Sequence, residues 1–464
     1  KKFKVLDREK NIKSIDLDLK SLFGDTPKKI ISDNTISNNF KKVRYNINDL
    51  ENYIKSVLKI ESVACKDWLT NKVDRCVTGR IAQQQTVGKI QLPLSNCAVV
   101  ALDYDNFEGI ATSIGHSPIS GLIDPKKGSV NSIAEALTNI IWAPLDDGLK
   151  SVSLSANWMW PSGKSGEDSR LYDAVKSCSD FAIELGINIP TGKDSLSMVQ
   201  KYNNSNEVKS PGTVIISASA HCSDIRKVIT PNLKGKEGFI YYINLSGDDY
   251  KLGGSSFGQI NNKIGNDAPT IKNPSNFKKI FNLIQNLIKE DEILSGHDIS
   301  SGGLITSLLE MCFTDNNLGM EINLTTLNEE DIVKILFSEN SGIIFQSKSK
   351  LNERLIKAGI SFHEIGKVSN SGYLNIKNYN NTYSFNISEY RDIWYSTSYH
   401  FDKIQTKNEL ASKRFENYKK QPLKFSFPKK FTGKILNKNN KINAAIIREK
   451  GSNSEREMAY MMSL

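Results

Sequence analysis

The feature that most restricts the fold of this sequence is the alternation of short apolar, partly β-branched runs with longer helical patterns. Residues 97–102 (CAVVAL) and 213–218 (TVIISA) have the uninterrupted apolar or small character expected of well-buried strands. Between them, residues 133–141 have the apolar spacing of a buried helix, and a second helix is predicted over residues 169–185, ended by Gly186. This order predicts an α/β fold of the α+β kind.

A second unit of strands and helices follows along the chain. Residues 239–244 (FIYYIN) are predicted to form a strand. Ser275 is a candidate N-cap, and the apolar residues of the segment 277–288 fall on one helical face. The pair Gly302-Gly303 precedes another predicted helix, over residues 304–312. The chain therefore contains two successive αβ units.

Changes in composition divide the chain into five predicted segments. In chain order they are a Lys- and Asn-rich linker and entry segment over 1–75, the first αβ unit over 76–228, the second over 229–395, a polar linker over 396–440, and a new strand and helix start over 441–464. The strand of the last segment is predicted at 442–447. One strand and one helix cannot form a domain, so we expect the chain to stop inside a larger unit.

Composition narrows the classes of protein that the chain represents. Lys and Arg number 61 against 51 Asp and Glu, a net charge of +10, which is compatible with binding to nucleic acid or to phosphorylated ligands. The lysines are spread among asparagines and isoleucines, and no compact basic-aromatic motif is found. General compositional bias is therefore favoured over a nucleic-acid partner, which stays a third hypothesis.

Cysteine usage and hydropathy point to a protein of the cell interior. The six cysteines contain no C-x-x-C pair, which argues against a secreted disulfide framework and against a Cys-rich zinc site. No apolar run is long enough to span a bilayer, and the first residues lack the apolar core of a signal peptide. We expect a cytoplasmic protein with no membrane partner.

Two motifs carry oxygen atoms suited to Mg²⁺ and phosphate. Glu135 and Asn139 lie four residues apart on one predicted helical face, where a carboxylate and an amide oxygen could bind Mg²⁺, although a solvent-facing polar stripe explains the same spacing. In the segment 297–303 (HDISSGG), Asp298 could bind a metal and Ser300 a phosphate, but an ordinary glycine turn is equally compatible. These motifs predict a Mg²⁺-phosphate protein.

A third motif, TGKDSLS over residues 191–197, superficially resembles a phosphate-binding P-loop. The first glycine of G-x-x-x-x-G-K-[ST] is absent, because Ile187 stands five positions before Gly192. The residue after Lys193 is Asp194, where the motif requires Ser or Thr. A P-loop NTPase is rejected, and a different phosphate- or substrate-facing loop stays possible. No sequence signature of a nucleophilic triad is found.

Taken together, the motifs resemble the large single-chain phosphoribosylformylglycinamidine synthase family of purine biosynthesis. The matching stretches, in order, are DRCVTG 74–79, QLPL 91–94, EALTN 135–139, LSANWM 154–159, GKDSLSM 192–198, HDIS 297–300 and AIIREKGSN 445–453. The resemblance covers nearly the whole chain, from about residue 15, and corresponds to the second half of the family's synthase region. It implies aminoimidazole ribonucleotide synthetase-like N-terminal and C-terminal subdomains, followed by the first strand and helix of a truncated class I glutaminase domain.

The resemblance also implies an activity for the complete protein. That family is a ligase that makes formylglycinamidine ribonucleotide from formylglycinamide ribonucleotide, ATP and glutamine-derived ammonia, through ATP activation of the formamide oxygen. The first synthase half carries most catalytic contacts, and the glutaminase triad follows downstream. We therefore expect no catalytic residues here and no turnover by these 464 residues alone. A non-catalytic nucleotide-binding scaffold, pairing with a separate catalytic half, is the alternative.

Position by position, the resemblance assigns residues to an auxiliary nucleotide site with Mg²⁺ and ATP or ADP. The implied roles are as follows: nucleotide contacts by Lys66, Ser95 and Ser300; metal ligation by Glu135, Asn139, Asp298 and Asn96; and completion of the neighbouring half's active site by a loop with Gly192, Lys193 and Ser195. Asn96 stands where the family often has Asp, so one charged ligand is missing. The number of metals is therefore left open.

Overall fold

The computed structural model describes residues 1–24, 28, 30–36, 39–70, 73, 75, 77–202, 206–235, 238–407, 409–420 and 443–463. The strands are β1 Lys2–Asp7, β2 Ile12–Asp18, β3 Ile81–Gln83, β4 Ala98–Ala101, β5 Gly109–His116, β6 Ser153–Met159, β7 Asn188–Ser195, β8 Val199–Tyr202, β9 Asn206–Lys209, β10 Thr213–Cys222, β11 Phe239–Asn244, β12 Ile293–Ile299, β13 Gly319–Asn323, β14 Gly342–Ser347, β15 His363–Ser369, β16 Tyr373–Asn378 and β17 Asn381–Asn386. The helices are α1 Leu19–Leu22, α2 Leu50–Val57, α3 Asp67–Thr70, α4 Pro118–Ile123, α5 Pro125–Ile140, α6 Glu167–Leu185, α7 Ser256–Ile260, α8 Pro274–Lys289, α9 Gly303–Phe313, α10 Ile332–Phe337, α11 Asn352–Lys357, α12 Ile387–Gln405, α13 Leu410–Asn417 and α14 Glu455–Ser463. The predicted α/β architecture is confirmed.

The first large sheet has the strand order β3-β4-β5-β10-β6-β7 and is antiparallel except for the parallel pair β6–β7. The burial of β5 alternates strictly, with one face against α5 and the other exposed. β10 alternates in the same way over most of its length. The apolar runs at 97–102 and 213–218 therefore form half-buried strands and not the well-buried strands predicted, because the described helices that contact β5 and β10 pack on one face of this sheet.

The second sheet has the order β12-β14-β11-β15-β13-β16-β17, with one parallel pair, β13–β16. Its central strands β11 and β14 are buried almost throughout. Continuous apolar runs here do correspond to burial on both faces.

The predicted helices form: α6, α8 and α9 differ from prediction by at most three residues at an end, whereas α5 begins eight residues before the predicted start at 133. Gly186 ends α6 in the left-handed conformation at φ +75°, which glycine adopts without the penalty of a Cβ atom. The N-cap of α8 is Asn273, whose side chain accepts a hydrogen bond from the Asn276 amide; Pro274 is the first helical residue. The Ser275 cap prediction was wrong, because Ser275 lies inside the first turn.

A buried glutamine on α8 forms hydrogen bonds with the backbone of the first αβ unit. The Gln285 side chain accepts a hydrogen bond from the Leu145 amide (2.7 Å) and donates to the carbonyls of Ile141 (2.5 Å) and Ala143 (3.0 Å). These groups belong to the backbone that follows α5, which would otherwise be unpaired inside the protein. The surrounding apolar core contains side chains from both αβ units, so the units share one interior.

The segment predicted as an N-terminal linker contributes to the interior. Ile54 and Val57 of α2 are fully buried in the core beneath the second sheet. The Trp394 indole on α12 donates to the Val63 carbonyl (3.0 Å), and the Cys65 amide donates to the Trp394 carbonyl (3.1 Å). The amphipathic pattern of α2 thus buries its apolar face, and this part of the segment does not behave as a linker.

The structure also differs from the predicted C-terminal linker and strand. Residues 396–405 continue α12, and α13 follows it. The Asp67 carboxylate accepts hydrogen bonds from Tyr395 on α12 (2.5 Å) and from Arg414 on α13 (2.7 Å), which holds both helices against the rest of the protein. Residues 421–442 lie outside the described residues. Residues 443–449 form no strand and are mostly exposed, since no described strand lies beside them, whereas α14 follows as a helix.

Within the described ranges, no helix combines the length and apolar character needed to cross a membrane. The five described cysteines, Cys65, Cys97, Cys178, Cys222 and Cys312, are buried free thiols.

The Trp394 bridge predicts a stability effect. Replacing this 1 %-exposed side chain, Trp394→Ala, removes core volume and leaves the Val63 carbonyl unpaired, so the free energy of unfolding should fall by about 3–5 kcal/mol. Tyr172→Ala, at a 69 %-exposed position of α6, is the control and should change it by less than about 0.5 kcal/mol. Urea unfolding followed by circular dichroism measures both; equal midpoints would contradict the bridge.

Candidate functional site

Helix α5 positions the first two predicted site residues, Glu135 and Asn139. Its N-terminus is capped by the Asp124 side chain, and ten of its sixteen residues are buried, which fixes its rotation about its axis. Strand β5 approaches so closely that a Cβ atom on Gly115 would lie 2.2 Å from the Ala136 nitrogen. The apolar faces therefore leave Glu135 and Asn139 on the one side of α5 that borders open space.

Strand β12 brings Asp298 to the same region. Asp298 is 2 % exposed, and its Oδ2 atom has no hydrogen-bond partner. The neighbouring His297 lies between two acids, with Nδ1 3.1 Å from Asp298 Oδ1 and Nε2 2.9 Å from Glu310. Burial alone would lower the pKa of His297, but the two carboxylates outweigh it and raise the pKa to about 10. His297 is therefore a buried cation that partly balances the acids.

The larger cavity, of about 730 Å³, is lined by four predicted site residues, Lys66, Ser95, Asn96 and Asn139. The Lys66 ammonium donates to the Ala64 carbonyl (2.5 Å) and to that of Glu61; burial lowers its pKa, opposed by Glu310. Arg75 also lines this cavity. Its walls thus carry two basic side chains and several amide and hydroxyl groups.

The remaining predicted oxygen donors face a second cavity. Glu135 and Ser300 line a space of about 180 Å³ together with Glu339 and several serines. The Asn96 amide donates to the Gly296 carbonyl (3.1 Å) at the β12 edge, on the larger cavity's side. The structure therefore divides most of the predicted nucleotide and metal residues between two cavities, and the buried Asp298 lines neither of them.

The electrostatics of this boundary fit a cation. Burial raises the pKa of Glu135, and the nearby carboxylates of Asp298 and Glu339 raise it further, while His297 and a hydrogen bond from Asn139 oppose the shift. Together with the unpartnered Asp298 oxygen, this is the chemistry of hard oxygen ligands that Mg²⁺ takes in proteins. Among the described residues, however, no three His, Cys, Asp or Glu side chains are arranged to enclose a metal, so amides, water or phosphate would have to supply the rest of the coordination.

The predicted loop with Gly192, Lys193 and Ser195 is an edge strand. These residues belong to β7, which pairs in parallel with β6. The loop prediction was wrong because Gly192 lets β7 lie against β6: a Cβ atom there would be 2.3 Å from the Ala156 carbonyl oxygen. Lys193 and Ser195 are in direct contact with each other, and they line neither of the two cavities described above.

Sequence reasoning missed two acids at the site, Glu310 and Glu339. Glu310 is seven residues beyond Gly303 on α9 and contacts His297; its polar character in an otherwise apolar helix was the available signal. Glu339 lies between α10 and β14, in a segment with no motif, and no local signal pointed to it.

Comparison with known families matches both halves of this arrangement. Residues 65–221 match the FGAR-AT PurM_N-like domain family, and residues 243–377 match the AIR synthase related protein, C-terminal domain family. A solved structure, Thermotoga maritima PurL complexed with FGAR, is similar with a TM-score of 0.55 at 12 % identity, over 74 % of this chain and 53 % of that one. The fold and site thus define a protein built from aminoimidazole ribonucleotide synthetase-like N-terminal and C-terminal domains.

Full-sequence relatives narrow this class further. The chain is 38 % identical to the probable phosphoribosylformylglycinamidine synthase, chloroplastic/mitochondrial, of Arabidopsis thaliana over 96 % of its own length, and 35 % identical to the phosphoribosylformylglycinamidine synthase of Homo sapiens over 88 %. Over nearly its whole length the chain is therefore homologous to one segment of proteins named phosphoribosylformylglycinamidine synthase. It spans 32 % of the Arabidopsis relative and 31 % of the human one, about a third of their length.

The contact between β7 and β6 predicts the effect of a small substitution. In Gly192→Ala, the methyl group would overlap the Ala156 carbonyl and push β7 away, at a cost of about 1–3 kcal/mol. Amide hydrogen exchange of residues 192–195 should accelerate, whereas Thr191→Ala, at an exposed position of the same strand, should leave it unchanged. Protected β7 amides in Gly192→Ala would contradict the strand pairing.

Proposed function

We propose that this chain is the part of a phosphoribosylformylglycinamidine synthase that holds an auxiliary nucleotide with Mg²⁺. The complete protein would convert formylglycinamide ribonucleotide, ATP, glutamine and water to formylglycinamidine ribonucleotide, ADP, phosphate and glutamate in de novo purine biosynthesis. Homology to a segment of these synthases supports the reaction, and the site described above supports the local role.

The observation that carries the nucleotide role is the separation of charge across the site. Lys66 and Arg75 line the larger cavity, where phosphate oxygens would find basic partners. Glu135 on α5 and Asp298 on β12 lie close to each other beside this cavity, and Asn139 on the same face of α5 as Glu135 lines it. An anionic phosphate with its cation matches this order of charges. Solved PurL structures from T. maritima are titled as complexes with ATP and with ADP, which supports the same ligand class.

Each side chain of the proposed site has a limited task. Lys66, Ser95 and Ser300 would donate hydrogen bonds to the nucleotide, and Glu135, Asn139, Asp298 and Asn96 would hold Mg²⁺ through oxygen atoms. Mg²⁺, when bound, would neutralise part of the phosphate charge. Because Asn96 supplies a neutral oxygen, we propose that this site binds fewer metal ions, or binds them with lower affinity, than a site whose ligands are all acidic.

The complete reaction would require parts of the protein outside this chain. The relatives are about three times as long as the aligned segment. We propose that a first synthase half supplies the catalytic contacts, that Lys193 and Ser195 on β7 face the active site of that half, and that residues 441–464 open a glutaminase domain. A cytoplasmic location is proposed with it, although the Arabidopsis relative is named as chloroplastic/mitochondrial.

The alternative is a nucleotide-binding scaffold that pairs with a separate catalytic chain. Ile110 and Ile114 on β5 are 42 % and 60 % exposed on one face of the first sheet; Ile114 also lines the larger cavity, so a partner docked on this face would lie beside the nucleotide. The two functions share the nucleotide site and differ in whether the catalytic half belongs to the same protein.

The nucleotide site predicts a metal-dependent binding defect. Isothermal titration of the 464-residue chain with ADP and Mg²⁺ should show binding that falls at least about tenfold, or 1.4 kcal/mol, in Glu135→Gln, because the substitution removes a charged ligand but keeps the side-chain volume. Glu184→Gln, at an exposed position of α6, is the control and should bind as the unaltered chain does. Unchanged affinity in both Glu135→Gln and Asp298→Asn would refute the site.

If the catalytic contacts belong to the first synthase half, the 464 residues alone should have no synthase activity. With formylglycinamide ribonucleotide, ATP, Mg²⁺ and ammonia, the 464 residues should release no phosphate above background, because the catalytic half is supplied elsewhere. Addition of the first synthase half as a separate chain should restore ammonia-dependent turnover. Turnover by the chain alone would show that it contains an active site of its own.

A further inference from the structure

The turn between β12 and α9 places Ser300 at the site but has an unusual backbone. Gly302 and Gly303 have φ values of +92° and +72°, in the left-handed region that favours glycine. A Cβ atom at Gly302 would lie 2.2 Å from Thr306 Oγ1, and one at Gly303 would lie 2.6 Å from the Leu336 carbonyl oxygen. Two successive glycines leave the backbone with many alternative conformations, so the position of Ser300 depends on what holds the turn.

One carboxylate oxygen holds this turn from outside. Glu339 Oε1 accepts a hydrogen bond from the Gly302 amide (2.8 Å) and a second from the Ser256 amide (2.8 Å). Gly302 is the N-cap of α9, and Ser256 is the first residue of α7. A single side chain therefore joins the turn that carries Ser300 to the separate turn that precedes α7.

Glu339 is itself fixed by its two neighbours in sequence. Ser338 accepts a hydrogen bond from the Lys251 amide and donates to the Lys251 carbonyl, both at 3.0 Å. The side-chain Nδ2 of Asn340 donates to Ser246 Oγ (2.8 Å) and to the backbone carbonyls of Asp248 (3.0 Å) and Asp249 (3.1 Å). Both residues that flank Glu339 are therefore held by hydrogen bonds within the protein.

The surroundings make this carboxylate costly to keep. Glu339 lines the smaller cavity with Glu135, and the described lining of that cavity contains no lysine or arginine. Burial raises the pKa of the Glu339 carboxyl group, and the hydrogen bonds from the Gly302 and Ser256 amides oppose this shift. What the turn obtains from this side chain is an acceptor oxygen for the Gly302 and Ser256 amides, and a glutamine at the same position would also provide one.

We propose that Glu339 is a positioning residue for the nucleotide and Mg²⁺: its carboxylate holds the Gly302 and Ser256 amides so that Ser300 and the end of β12 keep the geometry that binds the ligand. The inference rests on the proposed nucleotide function. It deepens that function, because it assigns the pre-formed shape of the site to a residue that does not itself touch the nucleotide.

The experiment compares three forms of the 464-residue chain: unaltered, Glu339→Gln and Glu339→Ala. Glutamine keeps an oxygen that accepts both amide hydrogen bonds, and alanine removes it. Mn²⁺ binding in the presence of ADP, measured by electron paramagnetic resonance, gives the affinity, and hydrogen exchange of the Gly302 and Ser256 amides reports the turn. Glu353→Ala, at an exposed position of α11, is the matched control, and thermal unfolding shows that each variant is folded.

The expected result is a loss of at least tenfold in Mn²⁺ affinity and faster exchange of both amides in Glu339→Ala, with less than about threefold loss and retained protection in Glu339→Gln. If the unaltered chain binds ADP and Mn²⁺ but Glu339→Ala binds equally well, the positioning role is overturned and the site stands. Equal losses in both variants would mean that the charge, and not the hydrogen bonds, matters, which also overturns it. If Glu339→Ala is unfolded, the decision rests on Glu339→Gln, in which lost protection or a tenfold weaker affinity overturns the proposal. No binding by the unaltered chain would refute the proposed function itself.

Discussion

The burial of helix α5 is the constraint on which the rest of the structure depends. It packs against β5, β10 and α6, and its C-terminal end is joined to α8 through the hydrogen bonds of Gln285. Because ten of its sixteen residues are buried, small and polar ones among them, few of its side chains are left to border open space. Glu135 and Asn139 are among these, and they face β12 because the two αβ units share one interior. The same packing that stabilises the protein therefore determines where its oxygen donors meet.

Much of this could be predicted from local pattern. Helix α6 and its Gly186 end, strand β11, and the pairing of Glu135 with Asn139 on one helical face follow from periodicity and glycine chemistry, which depend on neighbouring residues alone. The roles assigned to Lys66 and Ser95 came from the family resemblance, and both residues do line one cavity. The assignment of ligands to them stays a prediction.

What could not be predicted depends on contacts between distant residues. The separation of Ser300 from Lys66 into different cavities results from how β12 meets α5, and no spacing in the sequence encodes it. Residues 192–195 have the composition of a polar loop, but Gly192 permits a backbone approach that makes them an edge strand. Glu339 accepts hydrogen bonds from the amides of Ser256 and Gly302, which lie 83 and 37 residues away along the chain. In each case tertiary packing overrides local preference.

The Trp394 bridge has a consequence for biosynthesis of the chain. Its indole pairs with Val63, 331 residues earlier. At a translation rate of about 5–20 residues per second, the apolar face of α2 would wait roughly 15–65 s for its partner to leave the ribosome. During that interval the core around Ile54 and Val57 lacks α12, although α7, which also contacts α2, emerges earlier. The protein therefore has a built-in period of vulnerability to aggregation, and a nascent-chain chaperone that shields the first 65 residues would have its greatest effect before α12 is synthesised.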